Sequence, residues 1–103
     1  SSDTIKTLGD AEIDTSAQRV YLNNGGTPKD VYLTPLEFRI LVYVTSHPNR
    51  VIPREEILDH VWGEDVHVYP RSVDTHMSKL RKKLGHCADA IKSVHGTGYR
   101  VEA

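Results

Sequence analysis

Residues 71–84 read Arg71-Ser72-Val73-Asp74-Thr75-His76-Met77-Ser78-Lys79-Leu80-Arg81-Lys82-Lys83-Leu84, and residues 91–101 read Ile91-Lys92-Ser93-Val94-His95-Gly96-Thr97-Gly98-Tyr99-Arg100-Val101. On a helix advancing about 100° per residue, Val73, Met77, Leu80 and Leu84 fall on one narrow stripe, which must face a core. Opposite it lie Arg71, Thr75, Ser78 and Lys82, with Lys79 and Asp74 on the flanks. All can hydrogen-bond to bases or phosphates. Any surface helix has a charged outer face, so this face alone does not separate a ligand surface from a solvated one. The second stretch adds a hairpin, because Gly96 and Gly98 can supply the positive φ or the close backbone approach of a tight turn.

The rest of the chain surrounds these two elements with a small single domain. With 103 residues and 38% hydrophobic content, one modest core fits and a second domain does not. No run of about 20 apolar residues occurs, so neither a transmembrane span nor a signal peptide is expected, and no membrane partner. The chain opens Ser1-Ser2-Asp3 without an initiator methionine, and the expectation is a fragment of a longer protein. One cysteine, Cys87, excludes an intramolecular disulfide and fits a reducing, cytoplasmic setting.

The net charge of −1 is unusual for a nucleic-acid binder, but its distribution is uneven. Residues 71–103 hold seven Lys/Arg against three Asp/Glu, whereas residues 1–46 hold four against six and residues 47–70 two against five. Positive charge therefore gathers on the helix and hairpin, where it can attract phosphate.

Upstream, residues 5–8, 11–14, 19–22 and 30–33 predict four short antiparallel strands, with Asn24-Gly25 a strong type I′ hairpin signal. Thr34-Pro35-Leu36-Glu37 marks a helix start: Thr34 as N-cap, Pro35 at the first helical position and Glu37 closing a capping box. That helix runs to about Ser46, burying Leu36, Ile40, Leu41 and Val44, with Phe38 and Tyr43 widening the buried face. A second helix is expected over residues 53–61, burying Ile57, Leu58 and Val61, with Pro53 where a capping Ser or Thr is usual. The order is a β-meander (1–33), three helices (34–84) and a hairpin (91–101): an α+β fold of winged helix-turn-helix type, with an N-terminal four-stranded antiparallel sheet and a C-terminal β-hairpin wing.

Five separated motifs make this order specific. Leu33-Thr34-Pro35-Leu36-Glu37-Phe38, His60-Val61-Trp62-Gly63, Arg71-Ser72-Val73-Asp74-Thr75-His76, Leu80-Arg81-Lys82-Lys83-Leu84 and Gly96-Thr97-Gly98-Tyr99-Arg100 together resemble the C-terminal effector domain of OmpR/PhoB-type response regulators, in order over residues 33–101. The resemblance implies a transcription regulator of a two-component system that binds double-stranded DNA, with the third helix in the major groove and the wing at the adjacent minor groove. It also implies an N-terminal receiver domain, absent from this chain, phosphorylated on an aspartate by a cognate sensor kinase. The domain would be a monomer alone and a dimer on direct-repeat DNA. It implies no cofactor.

By the family's pattern Thr75 and Lys79 sit where bases are met, and Arg71, Ser72, His76 and Arg81 where phosphates or nearby bases are met. The wheel agrees for Arg71, Thr75 and Lys79, and places Arg81 nearer the core stripe, from which a long side chain would have to reach around. Ser78 and Lys82 complete the helix face. Ser78 and Lys79 stand where relatives often carry two arginines, which removes the bidentate fork for guanine. In the wing His95 takes a position often held by arginine, while Gly96, Thr97 and Tyr99 match phosphate-contacting positions. Trp62 matches a position whose indole N–H can meet a phosphate. For Tyr99 and Trp62 the competing reading is packing in the core. The loop Gly63-Glu64-Asp65-Val66-His67-Val68-Tyr69 corresponds to the segment by which related activators touch RNA polymerase, and a solvated loop is the alternative.

Two other function classes compete on the same residues. A winged helix docking an acidic protein partner would use the same basic helix as a protein-interaction module. An enzyme or a structural metal finds little support: the six histidines and Cys87 form no HExxH, no paired cysteine ligands and no glycine-rich phosphate loop.

Overall fold

The computed structural model describes residues 5–23, 26–63 and 68–102. Four strands open the chain, β1 (Ile5–Leu8), β2 (Ala11–Asp14), β3 (Arg19–Leu22) and β4 (Lys29–Val31), paired antiparallel in the order β1-β2-β3-β4. Alternation sets their faces: Leu8, Ala11, Ile13, Val20 and Leu22 are withdrawn from water, while Glu12 and Arg19 point out. The last strand ends before Tyr32 and Leu33, two residues short of its expected end. Pro35 already sits in the next helix, and Tyr32 is exposed. The Asn24-Gly25 turn lies outside the described residues.

Helix α1 (Pro35–Ser46) begins as its sequence dictates. The Thr34 hydroxyl accepts from the Glu37 N–H at 3.2 Å, and the Glu37 carboxylate accepts from the Thr34 N–H at 3.0 Å. That carboxylate has a second role: its side chain is 1% exposed and takes an ion pair from Lys83 Nζ at 2.6 Å. Burial pushes the Glu37 carboxyl up, but Lys83 and the hydrogen bond from the Thr34 N–H outweigh it and leave it below the usual carboxylate range.

A two-residue strand, β5 (Ile52–Pro53), leads into helix α2 (Arg54–Val61). Pro53 provides no side-chain cap, in line with its identity, and Leu58 is half-buried rather than buried. Helix α3 (Arg71–Leu84) follows, and Val73, Met77, Leu80 and Leu84 along its stripe are at most 1% exposed. A 3-10 turn, Gly85–Ala90, continues from it and buries Cys87 and Ala88. The chain closes with β6 (Ile91–Val94) and β7 (Gly98–Val101).

The hairpin is not a free two-stranded wing. β5 pairs with β7, giving a second sheet in the order β5-β7-β6, with Ile52 opposite Tyr99 and Pro53 opposite Gly98. This separates the duties of the two wing glycines. Gly96 has φ +74°, the left-handed conformation of the turn. At Gly98, a Cβ would lie 1.9 Å from the Ile52 carbonyl oxygen, so glycine is required there by the closeness of the neighbouring strand. The two sheets flank the helices, and one core runs from Leu8 and Ile13 through Ile40, Leu41 and Ile57 to Leu80, Leu84 and Val101. Among the described residues, no helix is long and apolar enough to cross a membrane.

Gly98→Ala is expected to lower stability by about 1 to 3 kcal/mol, because strand must move from strand; urea unfolding measures it. Glu37→Gln is expected to cost about 1 to 3 kcal/mol at pH 7 by replacing the charged partner of Lys83 with a neutral amide at a buried site. Because the folded carboxyl titrates below the unfolded one, that stabilisation is complete above the unfolded value of 4.5 and is lost as pH falls through the folded one. The gap between wild type and Glu37→Gln should therefore narrow between unfolding curves taken at about pH 7 and about pH 3.

Candidate nucleic-acid interface

With the apolar stripe of α3 buried, Arg71, Thr75, Ser78, Lys79 and Lys82 are all exposed. Thr75 Oγ1 donates to the Arg71 carbonyl at 3.2 Å, which steadies the hydroxyl and leaves its methyl for contact. Arg71, Lys79 and Lys82 have no ion-pair partner among the described residues. One helix face therefore carries three cations and two hydroxyls.

On one flank of this face stand Ser72, His76 and Trp62, all half-buried. His76 Nδ1 donates to the Ser72 carbonyl at 2.8 Å, and its ring meets the Trp62 indole edge-on with centroids 5.3 Å apart. Trp62 closes α2 and packs against the core, so its ring is a structural anchor as well as a rim residue.

The other flank is tied to the wing. Arg81 Nη2 donates to the Ile91 carbonyl at 3.1 Å and to Ser93 Oγ at 3.0 Å, and its guanidinium lies 5.2 Å from the centre of the Tyr99 ring. Arg81 Nε is buried and has no hydrogen-bond partner among the described residues. Arg81 is thus turned toward the wing rather than toward a ligand, as its place near the core stripe foreshadowed. Tyr99, expected at a phosphate, is 5% exposed and donates its hydroxyl to Asp74 Oδ1, so packing at the hairpin's base is its role in this structure. Arg54 Nε donates to the same carboxylate oxygen at 2.9 Å. Burial raises the Asp74 carboxyl, but the bonds from Tyr99 and Arg54 outweigh it and hold it below the usual range. The Tyr99 phenol is pushed up to about 12 by burial and by that acceptor. The pair therefore stays a donating phenol and an accepting carboxylate throughout the neutral range.

At the wing tip His95, Gly96 and Thr97 are exposed and form the turn between β6 and β7. Thr97 N–H donates to the Val94 carbonyl at 3.0 Å, closing it. Of the loop that precedes α3, Gly63 and Tyr69 are exposed and Val68 is half-buried, while Glu64, Asp65, Val66 and His67 lie outside the described residues. Among the described residues no group of three His, Cys, Asp or Glu is placed to hold a metal ion.

The arrangement agrees with known proteins. Residues 28–101 match the family described as "Transcriptional regulatory protein, C terminal". The chain is 40% identical to the phosphate regulon transcriptional regulatory protein PhoB of Rhizobium meliloti over 97% of its own length and 43% of that protein's. Against PhoB of Klebsiella pneumoniae it is 43% identical over 88% and 39%. It thus spans about two fifths of the curated relatives it matches. Its fold superposes on the response regulator AdeR DNA-binding domain, crystallised in complex with an intercistronic region, with a TM-score of 0.81 at 32% identity over 95% of this chain and 99% of that one. On the Klebsiella pneumoniae RstA DNA-binding domain in complex with RstA box it superposes with a TM-score of 0.79 at 29% identity, over 95% and 96%. A family match across most of the chain, joined to the three helices and the paired wing hairpin, makes this chain a member of the transcriptional regulatory protein C-terminal family, a winged-helix effector domain of OmpR/PhoB type rather than an enzyme.

Proposed function

We propose that the domain binds double-stranded DNA sequence-specifically, with α3 in the major groove and the wing tip at the neighbouring minor groove. The observation that carries this reading is the exposed row Arg71, Thr75, Ser78, Lys79 and Lys82 beside an exposed turn, His95 to Thr97, on a face whose cations are unpaired among the described residues. Lys79 donates to guanine O6 or N7, and the Thr75 methyl meets a thymine methyl. Arg71, Lys82, Ser72, His76 and the Trp62 indole N–H are assigned to the phosphate backbone, with Gly96 and Thr97 at the wing. Arg81 and Tyr99 are left to hold the wing. AdeR and RstA, crystallised with DNA, support a duplex as ligand.

In the full-length protein a receiver domain precedes this one and a sensor kinase acts on it, as the relatives' greater length supports. The monomeric domain pairs on direct repeats, and residues 63–69 meet RNA polymerase. A DNA-bound regulator of this kind works in the cytoplasm.

Binding sites are to be selected from a random duplex pool, and the best one titrated at several salt concentrations. Log affinity should fall linearly with log salt, at a slope near −0.9 for each phosphate neutralised. Lys79→Ala is expected to cost about 1 to 3 kcal/mol and to relax base preference at one position, whereas Lys82→Ala should weaken all sequences alike. Unchanged affinity and discrimination in Lys79→Ala would remove Lys79 from base readout, and no duplex binding at low salt would favour a protein partner instead.

A further inference from the structure

Three elements of different sequence origin converge on one oxygen atom. Asp74 stands on the flank of α3, beside the exposed row. Its Oδ1 accepts from Arg54 Nε at the start of α2 and from the Tyr99 hydroxyl on β7. Backbone bonds reinforce the same junction: β5, which leads into Arg54, pairs with Tyr99 and Gly98, and the Arg54 N–H reaches the Thr97 carbonyl in the wing turn at 3.4 Å. Two helical turns further along α3, Arg81 holds the far strand of the wing at Ile91 and Ser93, and its guanidinium covers the Tyr99 ring. The Tyr99 side chain is thus held at its hydroxyl by Asp74 and over its ring by Arg81, both from α3.

We propose that Asp74 is a positioning residue for DNA binding: through Tyr99 it locks the wing to the recognition helix, so that both reach the duplex as one rigid unit. This rests on the reading that α3 and the wing tip both touch DNA. A carboxylate on the rim of a cationic face is otherwise unfavourable for binding a polyanion. Here its charge is answered by Arg54, and the carboxylate turns a two-residue strand and a short hairpin into a fixed ledge beside α3. The freedom lost by the wing is lost on folding, so little remains to be lost when DNA arrives.

Tyr99→Phe tests this cleanly, because it removes one hydroxyl, alters no charge and keeps a ring against Arg81. The probe is the duplex selected above, with binding followed by fluorescence anisotropy. The chains compared are wild type, Tyr99→Phe, a wing-tip variant carrying His95→Ala and Thr97→Ala, and the combination. If wing and helix bind as a unit, the wing-tip changes cost wild type about fivefold or more in affinity but less than about twofold in the Tyr99→Phe background, while Lys79→Ala costs the same in both. A loss of overall stability alone would not move one penalty and spare the other. Thermal melts confirm that each variant is folded at the assay temperature. Should Tyr99→Phe melt too low, Asp74→Asn, in which a neutral carbonyl replaces the charged acceptor, runs the same cycle. Equal wing-tip penalties in both backgrounds, or a wing tip silent in wild type, overturn the positioning role. A wild type that binds no duplex at low salt overturns the DNA reading itself, and the inference with it.

Discussion

Burial of Val73, Met77, Leu80 and Leu84 fixes the rotation of α3 about its own axis. Each is in close-packed surroundings, and turning the helix by one residue, about 100°, would drive Asp74 or Ser72 into the core. Two charged contacts then fix its tilt, one on each flank: Lys83 to the buried Glu37 of α1, and Asp74 to Tyr99 of β7. The face left over is the one that carries Arg71, Thr75, Ser78, Lys79 and Lys82. Which residues can meet a ligand is thus decided by which residues the core and the flanks have already taken.

The same division corrects the electrostatics. The sequence places seven Lys/Arg in residues 71–103, which overstates the attraction available to phosphate. Lys83 answers a buried carboxylate, Arg81 is turned into the wing, and Lys92 lies 3.8 Å from Glu102. Arg71, Lys79 and Lys82 remain on the helix face. A modest outward charge on a chain of net −1 suits a reader that depends on fitted contacts more than on bulk attraction, which would bind all duplexes alike.

Local signals were the legible ones. The Thr34-to-Glu37 capping box, the four-three-four spacing of α3 and the alternation of the first three strands each depend on residues within a turn or two of one another, and each agrees with the structure at its ends. What eluded the sequence is long-range. A strand of two residues, Ile52–Pro53, has no period to detect and exists only because β7 lies alongside. Glu37 read as a capping residue alone, because its partner Lys83 is 46 positions away. Arg81 and Tyr99 matched ligand-contacting positions by pattern, whereas their hydrogen bonds to Ile91, Ser93 and Asp74 are set by how the hairpin folds back. The helical wheel did contain the warning for Arg81, since it set that residue beside the stripe.

The chemistry of the remaining face says how discrimination must be shared. A lysine ammonium is a compact, strongly hydrated charge that donates without a fixed plane, so Lys79, if it meets bases as proposed, would favour an acceptor-rich base edge without enforcing the two-bond geometry of an arginine fork. Ser78 beside it is short and adaptable. Readers so equipped gain selectivity when several weak contacts must be satisfied at once, which requires that the contacting elements cannot adjust independently. A wing held against α3 at Asp74 and Arg81, as proposed, would meet that requirement: a duplex whose groove width or curvature did not suit the fixed spacing would lose contacts at one element or the other. On that proposal, shape would supplement what the helix side chains leave undetermined.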